Sequence, residues 1–202
     1  YGVVANEPGI ALATSGPGAT NLVTGIADAN MDSDAMVALT GQVPSDMVGS
    51  DAFQETDTTG VTMPITKHNW FASSGDTVGD TVGEAFALSE SGRPGPTLVD
   101  LPKDVSFEET DNEPGEPELP AGSEPPTEAD QENVEAAARA IERADKPLLL
   151  LGGGVIKGEA CDTAREFARE HEIPVVTTMP GIGSFPEDDE LCLSWAGMHG
   201  TG

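Results

Sequence analysis

The sequence predicts an α/β fold with mostly parallel strands, on three observations. Short apolar runs recur at Met36–Leu39, Thr97–Leu101, Pro147–Leu151 and Ile173–Val176. Segments with helical spacing of apolar residues lie between them. The connections are short and marked by glycine and proline, as in SGRPGP and LGGGV.

Taken in order, residues 10–14 read as a buried strand and MVALT, residues 36–40, as the next. The helix between them is built of small residues, with Leu22, Val23, Ile26 and Ala27 on one face. A second helix is expected over Val78–Glu90, where Val82, Ala85, Phe86 and Ser89 share a side; SGRPGP breaks it and TLVDL returns as a strand ending at Pro102. From about Ser106 the composition turns acidic and proline-rich with no basic residue, which predicts an extended linker over 106–127. Thr127 with Asp130 then resembles a capping box that opens a helix with Val134, Ala137, Ala138, Ile141 and Ala144 as its apolar stripe. Pro147 ends it, Leu148–Leu151 is a strand, 159–171 is helical with Ala160, Ala164, Phe167 and Ala168 inward, and IPVVTT is the next strand.

Charge narrows the function classes. Nine Lys and Arg stand against 36 Asp and Glu in 202 residues, a net charge of −27. So acidic a surface repels nucleic acid and anionic membrane, and it suits a protein adapted to high salt. Cys161 and Cys192 lack disulfide-framework or metal-ligand spacing, and no metal site is expected. No signal peptide or run of transmembrane length is present, which points to the cytoplasm. The chain starts at Tyr1 without Met and stops on HGTG, so it is expected to be an internal portion of a longer protein.

Several loops carry chemistry. In TSGPGATN, residues 14–21, Gly16 and Gly18 flank Pro17, but neither GxGxxG nor a phosphate-loop lysine pattern fits. A phosphate cradle, a tight packing turn or one wall of another cofactor site all remain open from the residues alone. Gly152, Gly153 and Gly154 follow a buried strand directly, which suits either a dinucleotide or a tight strand-to-helix turn. TTMPGIGSFP repeats that arrangement. In GSDAFQETD, Gln54 offers an amide, Ala52 and Phe53 an apolar wall, and Glu55 and Asp57 either acid–base groups or an exposed acidic loop. Lys67, Arg93 and Lys103 lie near strand edges or turns and fit an anionic ligand group or ordinary ion pairs. His68, His171 and His199 show no metal spacing, and no Ser–His–Asp set can be assembled.

Eight landmarks in sequence order then carry a resemblance: TSGPGATN, NMDSDAMVALTGQVP, GSDAFQETD, ITKHN, SGRPGPTLVDLPKD, LLLLGGGV, TTMPGIGSFPEDD and GMHGTG. Together they resemble the acetohydroxyacid (acetolactate) synthase large-subunit family of thiamine-diphosphate enzymes, over nearly the whole chain except the linker. The resemblance implies that residues 1–105 are the C-terminal part of a pyrimidine-binding domain, a parallel sheet with helices on both faces. Residues 128–202 would be the N-terminal part of a Rossmann-like central domain that binds FAD, in a largely structural role. TSGPGATN would wall the thiamine diphosphate site, with Gly16 and Gly18 as cofactor neighbours. Magnesium and the diphosphate would be held by a C-terminal domain outside this chain, and the catalytic glutamate would lie upstream of Tyr1, so Glu7 and Glu55 are not its substitutes.

By the same resemblance Ser33 and Gln54 match active-site positions, and Pro44, Ala52, Phe53, Lys67 and Lys103 match the substrate channel. Arg93, Gly152–Gly154, Thr178, Met179, Ala196, Gly197, Met198 and His199 match the flavin site. The sequence departs from the family at Tyr1-Gly2-Val3-Val4, at Asp34-Ala35 and at Trp195. The implied reaction decarboxylates pyruvate and adds the two-carbon unit to pyruvate or 2-oxobutanoate. It would occur in a homodimer or higher oligomer with room for a small regulatory subunit, and the 202-residue chain alone is expected to be inactive. Sulfoacetaldehyde acetyltransferase, glyoxylate carboligase, pyruvate oxidase and a non-catalytic nucleotide-binding module are the competing readings.

Overall fold

Strand–helix alternation in the first hundred residues produces a four-stranded parallel sheet. The computed structural model describes residues 1–120, 123, 128–198 and 200. It divides into two compact units, Tyr1–Pro126 and Thr127–Gly202. The first contains α1 (Gly2–Ala5), β1 (Gly9–Ala13), α2 (Pro17–Asp32), β2 (Met36–Gln42), α3 (Thr58–Thr62), β3 (His68–Phe71), α4 (Gly75–Glu90) and β4 (Pro96–Pro102). The sheet order is β1-β2-β4-β3 and every pairing is parallel.

Alternation along the two central strands sends successive side chains to opposite helical layers. Val37 and Val99 pack with Ala85 of α4, Ala72 and Val105, whereas Ala38 and Leu98 pack with Ile26 of α2. Pro17 takes the first helical position of α2, where its missing N–H is no loss. The second expected helix begins three residues earlier than its apolar spacing indicated. Ser74 caps it, its hydroxyl accepting from Asp76 N at 3.3 Å, and Gly75 is its first residue. The edge strand β3 was not foreseen, because four residues are too few to display alternation.

Among its described residues the acidic segment after β4 forms neither helix nor strand beyond a short turn at Val105–Phe107, yet it is not free-standing. Glycines 75, 79 and 83 repeat at helical spacing along α4 and leave a groove for it. A Cβ on Gly79 would lie 2.5 Å from Pro114 Cγ, and one on Gly83 3.5 Å from Pro117 Cγ. Gly75 N donates to the Glu108 carboxylate at 2.6 Å, Asn112 Nδ2 to Asp76 O at 2.7 Å, and Gly115 N to Asp80 Oδ1 at 2.7 Å. The extended segment is thus anchored along α4 by its prolines and backbone.

The second unit contains α5 (Gln131–Arg143), β5 (Leu149–Leu151), α6 (Gly153–Lys157), α7 (Cys161–Glu170), β6 (Val175–Thr177) and β7 (Cys192–Trp195). Its sheet, β5-β6-β7, is also parallel, with Leu151, Ala168, Val175 and Phe185 as the core. Asp130 itself caps α5, Oδ1 accepting from Asn133 N at 3.0 Å; Thr127, its expected capping partner, lies outside the described residues. The helix expected over 159–171 is α7, and Glu159 at φ +53° separates it from the short α6 before it. The apolar stripe of α5 is not buried as its periodicity implied: Val134 is 45% exposed and Ala137 and Ala138 are exposed. Among the described residues no helix is long and apolar enough to cross a membrane.

Candidate active site

In parallel sheets the loops at the carboxyl ends of the strands are where ligands sit. In the first unit these loops follow Ala13, Gln42 and Pro102, and they line a cleft of about 520 Å³. Thr14, Ser15 and Gln42 bring polar groups, Pro44 and Phe53 an apolar wall, and Lys103 the one charge among the lining residues. Gln54 also lines it.

The TSGPGATN turn has a steric explanation. Gly16 adopts φ +60°, and a Cβ there would meet the Gln54 carbonyl oxygen at 2.7 Å and its Cα at 2.9 Å. Gln54 itself is held at φ +62°, a left-handed conformation that non-glycine residues rarely occupy and that recurs at functional sites. TSGPGATN and GSDAFQETD therefore meet backbone to backbone, which only glycine at position 16 permits. A Cβ on Gly18 would in turn come 2.8 Å from the Thr14 methyl.

The polar loop is folded on itself by Glu55. Its carboxylate accepts from Gly49 N and, at 2.8 Å, from Ala52 N, and these backbone donors hold its pKa below the ordinary value. Glu55 is thus engaged as a loop staple. Phe53 is left 88% exposed at the mouth of the cleft. Lys103 lies beside it, its backbone N donating to Gln42 O at 3.1 Å. Asp104 accepts from Ser45 N at 2.9 Å and Ser45 Oγ at 3.1 Å, which lowers its pKa and ties the loop after β2 to that after β4.

Three of the residues singled out from the sequence stand at the opposite edge. Ser33, Lys67 and Arg93 precede β2, β3 and β4, at the amino ends of the strands. Arg93 Nε donates to Ser33 Oγ at 2.6 Å, and its Nη2 donates to the Asn30 and Met31 carbonyls at 3.1 Å, so the guanidinium closes the last turn of α2. Lys67 donates to the Leu88 carbonyl and, at 3.2 Å, to Ser91 Oγ, doing the same for α4; burial lowers its pKa. The fold thus gathers Gly16, Pro44, Phe53, Gln54 and Lys103, with Ala52 in the same loop, and keeps Ser33, Lys67 and Arg93 away from them.

In the second unit the Gly152–Gly154, Thr178–Gly181 and Ala196–Met198 segments follow β5, β6 and β7. A Cβ on Gly153 would lie 2.9 Å from Pro180 Cβ, and one on Gly181 2.3 Å from Leu151 O, so these glycines let two loops pack together. A Cβ on Gly154 would meet no side chain or loop within 4 Å, and Met179 and Met198 are exposed. His199 lies outside the described residues. No group of three or more His, Cys, Asp or Glu among the described residues is placed to hold a metal.

Two residues of the first site were missed by the sequence reading. Asp100 and Gln42 are buried at the floor of the cleft and hydrogen-bonded to each other at 2.9 Å. Only a strand-ending Gln in GQVP and an acid inside the apolar TLVDL hinted at them.

Comparison with known proteins decides the family. Residues 1–61 match the thiamine pyrophosphate enzyme N-terminal TPP binding domain, and residues 134–202 match the thiamine pyrophosphate enzyme central domain. The chain belongs to the thiamine pyrophosphate enzymes. It is 50% identical over 202 residues to the acetolactate synthase large subunit of Corynebacterium glutamicum, covering all of this chain and 32% of that protein. It is 51% identical over 202 residues to the acetolactate synthase of Mycobacterium bovis, with the same coverage. A probable acetolactate synthase large subunit of Methanocaldococcus jannaschii is 47% identical over 199 residues, 96% of this chain and 34% of that protein. This thiamine pyrophosphate enzyme chain spans about a third of the length of these curated relatives. The two parallel α/β units are the N-terminal and central domain folds of the family.

Proposed function

We propose that this chain is the part of an acetolactate synthase large subunit that forms one wall of its thiamine diphosphate site. The observation that carries this reading is the seating of Gln54 on Gly16, at the mouth of a cleft in a family-typical N-terminal unit. The proposed reaction joins two 2-oxo acids, pyruvate with pyruvate or 2-oxobutanoate, with loss of carbon dioxide. Thiamine diphosphate supplies the carbanion-stabilising chemistry when bound.

The lining residues fit the neutral end of that cofactor and a carboxylate substrate better than a diphosphate, since hydroxyls, amides and apolar walls surround a single lysine. Gln54 would hydrogen-bond a substrate oxygen, Lys103 would attract the 2-oxo acid carboxylate, and Phe53 and Pro44 would exclude water. The diphosphate and Mg2+ are assigned to a part of the protein beyond this chain. In the second unit the open side of Gly154, with Thr178, Met179 and Ala196–Met198, is assigned to FAD. Arg93 remains assigned to FAD by the resemblance alone, beside its role on α2. Assembly as a homodimer or larger, with a regulatory subunit, belongs to the same reading.

The test is the full-length protein incubated with pyruvate, thiamine diphosphate, Mg2+ and FAD. Acetolactate and carbon dioxide in equal amounts are expected, and flavin fluorescence should be quenched on binding. Acetyl phosphate, acetate or hydrogen peroxide as the product would replace this reading with that of an oxidase or acetyltransferase.

A further inference from the structure

At the floor of the cleft, which Gln42 lines, lies a buried polar pair whose hydrogen bonds the reading above does not use. Asp100 is 1% exposed and Gln42 6%. Register places Thr40 directly across from Asp100 on adjacent strands, and Thr40 Oγ1 donates to Asp100 Oδ1 at 2.6 Å. Gln42 Nε2 donates to Asp100 Oδ2 at 2.9 Å and also to the Thr56 carbonyl at 2.7 Å. Its Oε1 accepts from Val43 N at 2.9 Å. Both amide hydrogens are therefore spent on acceptors, one in β4 and one in the polar loop. Among the described residues no buried side-chain N or O lacks a partner, so this pair is not waiting for a ligand.

Thr56 is two residues from Gln54, whose left-handed backbone rests on Gly16. A strained backbone persists only where its surroundings over-determine it. Glu55 folds the loop on itself, but Gln42 ties the loop to the sheet. Asp100 in turn decides which way the Gln42 amide points, since a carboxylate and a carbonyl both require its N–H2 side.

We infer that Gln42 and Asp100 are positioning residues that fix Phe53 and Gln54 at the cleft by holding the Thr56 carbonyl. This rests on the acetolactate synthase reading only for its catalytic consequence. In Gln42→Met the link to Thr56 is lost at nearly constant volume. In Gln42→Glu a second carboxylate faces Asp100 and Thr56. In the double variant Gln42→Glu/Asp100→Asn, donor and acceptor are exchanged. The amide introduced at position 100 can donate to the carboxylate introduced at position 42, but that carboxylate has no hydrogen for Thr56. The double variant thus restores the sheet pair without restoring the loop tie.

The experiment measures hydrogen–deuterium exchange over residues 49–57, melting temperature and steady-state kinetics on the full-length protein. Exchange should rise about tenfold or more in Gln42→Met and in the double variant. The double variant should regain most of the melting temperature that Gln42→Glu loses, while its kcat/KM stays low, with kcat reduced more than KM is raised. Wild-type exchange over 49–57 in either Gln42→Met or the double variant overturns the inference. So does recovery of kcat/KM in step with stability in the double variant. A wild-type protein that makes no acetolactate defeats the functional reading alone, because faster exchange in the variants still establishes the loop tie.

Discussion

Adding one methyl group at two glycines of the same helix should have different consequences. Ala is favoured over Gly in a helix interior by about 0.8–1.0 kcal/mol. Gly25 in α2 has no atom within 4 Å of an added Cβ, so Gly25→Ala reports that propensity alone. Gly83→Ala places its Cβ 3.5 Å from Pro117 Cγ, an ordinary contact, and should stabilise to a similar extent. Gly79→Ala places its Cβ 2.5 Å from Pro114 Cγ and 3.3 Å from Pro114 Cβ, so the acidic segment must lift. Lifting it gives up the Gly115–Asp80 hydrogen bond, worth about 1 kcal/mol at most at this exposed position, and the net change should be near zero. Melting curves of the purified protein should show gains of roughly 2–4 °C for Gly25→Ala and Gly83→Ala and almost none for Gly79→Ala.

A glutamate-specific protease supplies the second readout at the Glu118–Leu119 bond, four residues past Pro114, because Glu113 and Glu116 are each followed by proline and resist cleavage. Cleavage there should accelerate in Gly79→Ala and stay unchanged in Gly83→Ala. The segment and α4 are both acidic, and no Lys or Arg lies between Lys103 and Arg139, so potassium chloride at about 1 M should slow that cleavage by screening the repulsion. Equal stabilisation by all three substitutions, with equal cleavage, would refute the seating of this segment on the glycine groove.

Arg93→Ala should lower the melting temperature even without FAD, by an amount corresponding to about 1 kcal/mol, because the last carbonyls of α2 lose their donors. An unchanged melting temperature would refute the capping role, and flavin titration of the same variant tests its separate assignment to FAD. Asp100 titrates above the ordinary carboxylate value, chiefly because burial disfavours its charged form. Its native state therefore holds a proton longer than its unfolded state, and its contribution to stability declines as pH rises from the unfolded value through the raised native one. Glu55, Asp104 and Asp189 have the opposite sign, losing their contribution as pH falls through their lowered values. The stability difference between wild type and Asp100→Asn, followed by urea unfolding from about pH 4 to pH 8, should shift against the wild type as pH rises. A constant difference would refute that sign.

What the sequence determined by itself was local and periodic. The strands at 36–40 and within Thr97–Leu101, the face of α2 marked by Ile26, and the alternation that makes the sheets parallel were all legible. So were the glycines of TSGPGATN as points of close approach. Each of these is written in the spacing of residues along one element, where side-chain direction follows backbone geometry. Pairings across the fold were decided only by tertiary structure. Gln42 meets Asp100 58 residues away, and Arg93 meets Ser33 60 residues away, because strand register and the return of α2 to the amino edge bring them together. The same cause separated Lys67 and Arg93 from Lys103, which the sequence treats alike as scarce cations, and turned the acidic segment from a spacer into a strand-free clasp on Gly79 and Gly83. Periodicity states which face an element buries; which residue waits on the other side depends on packing between elements, and no local pattern encodes it.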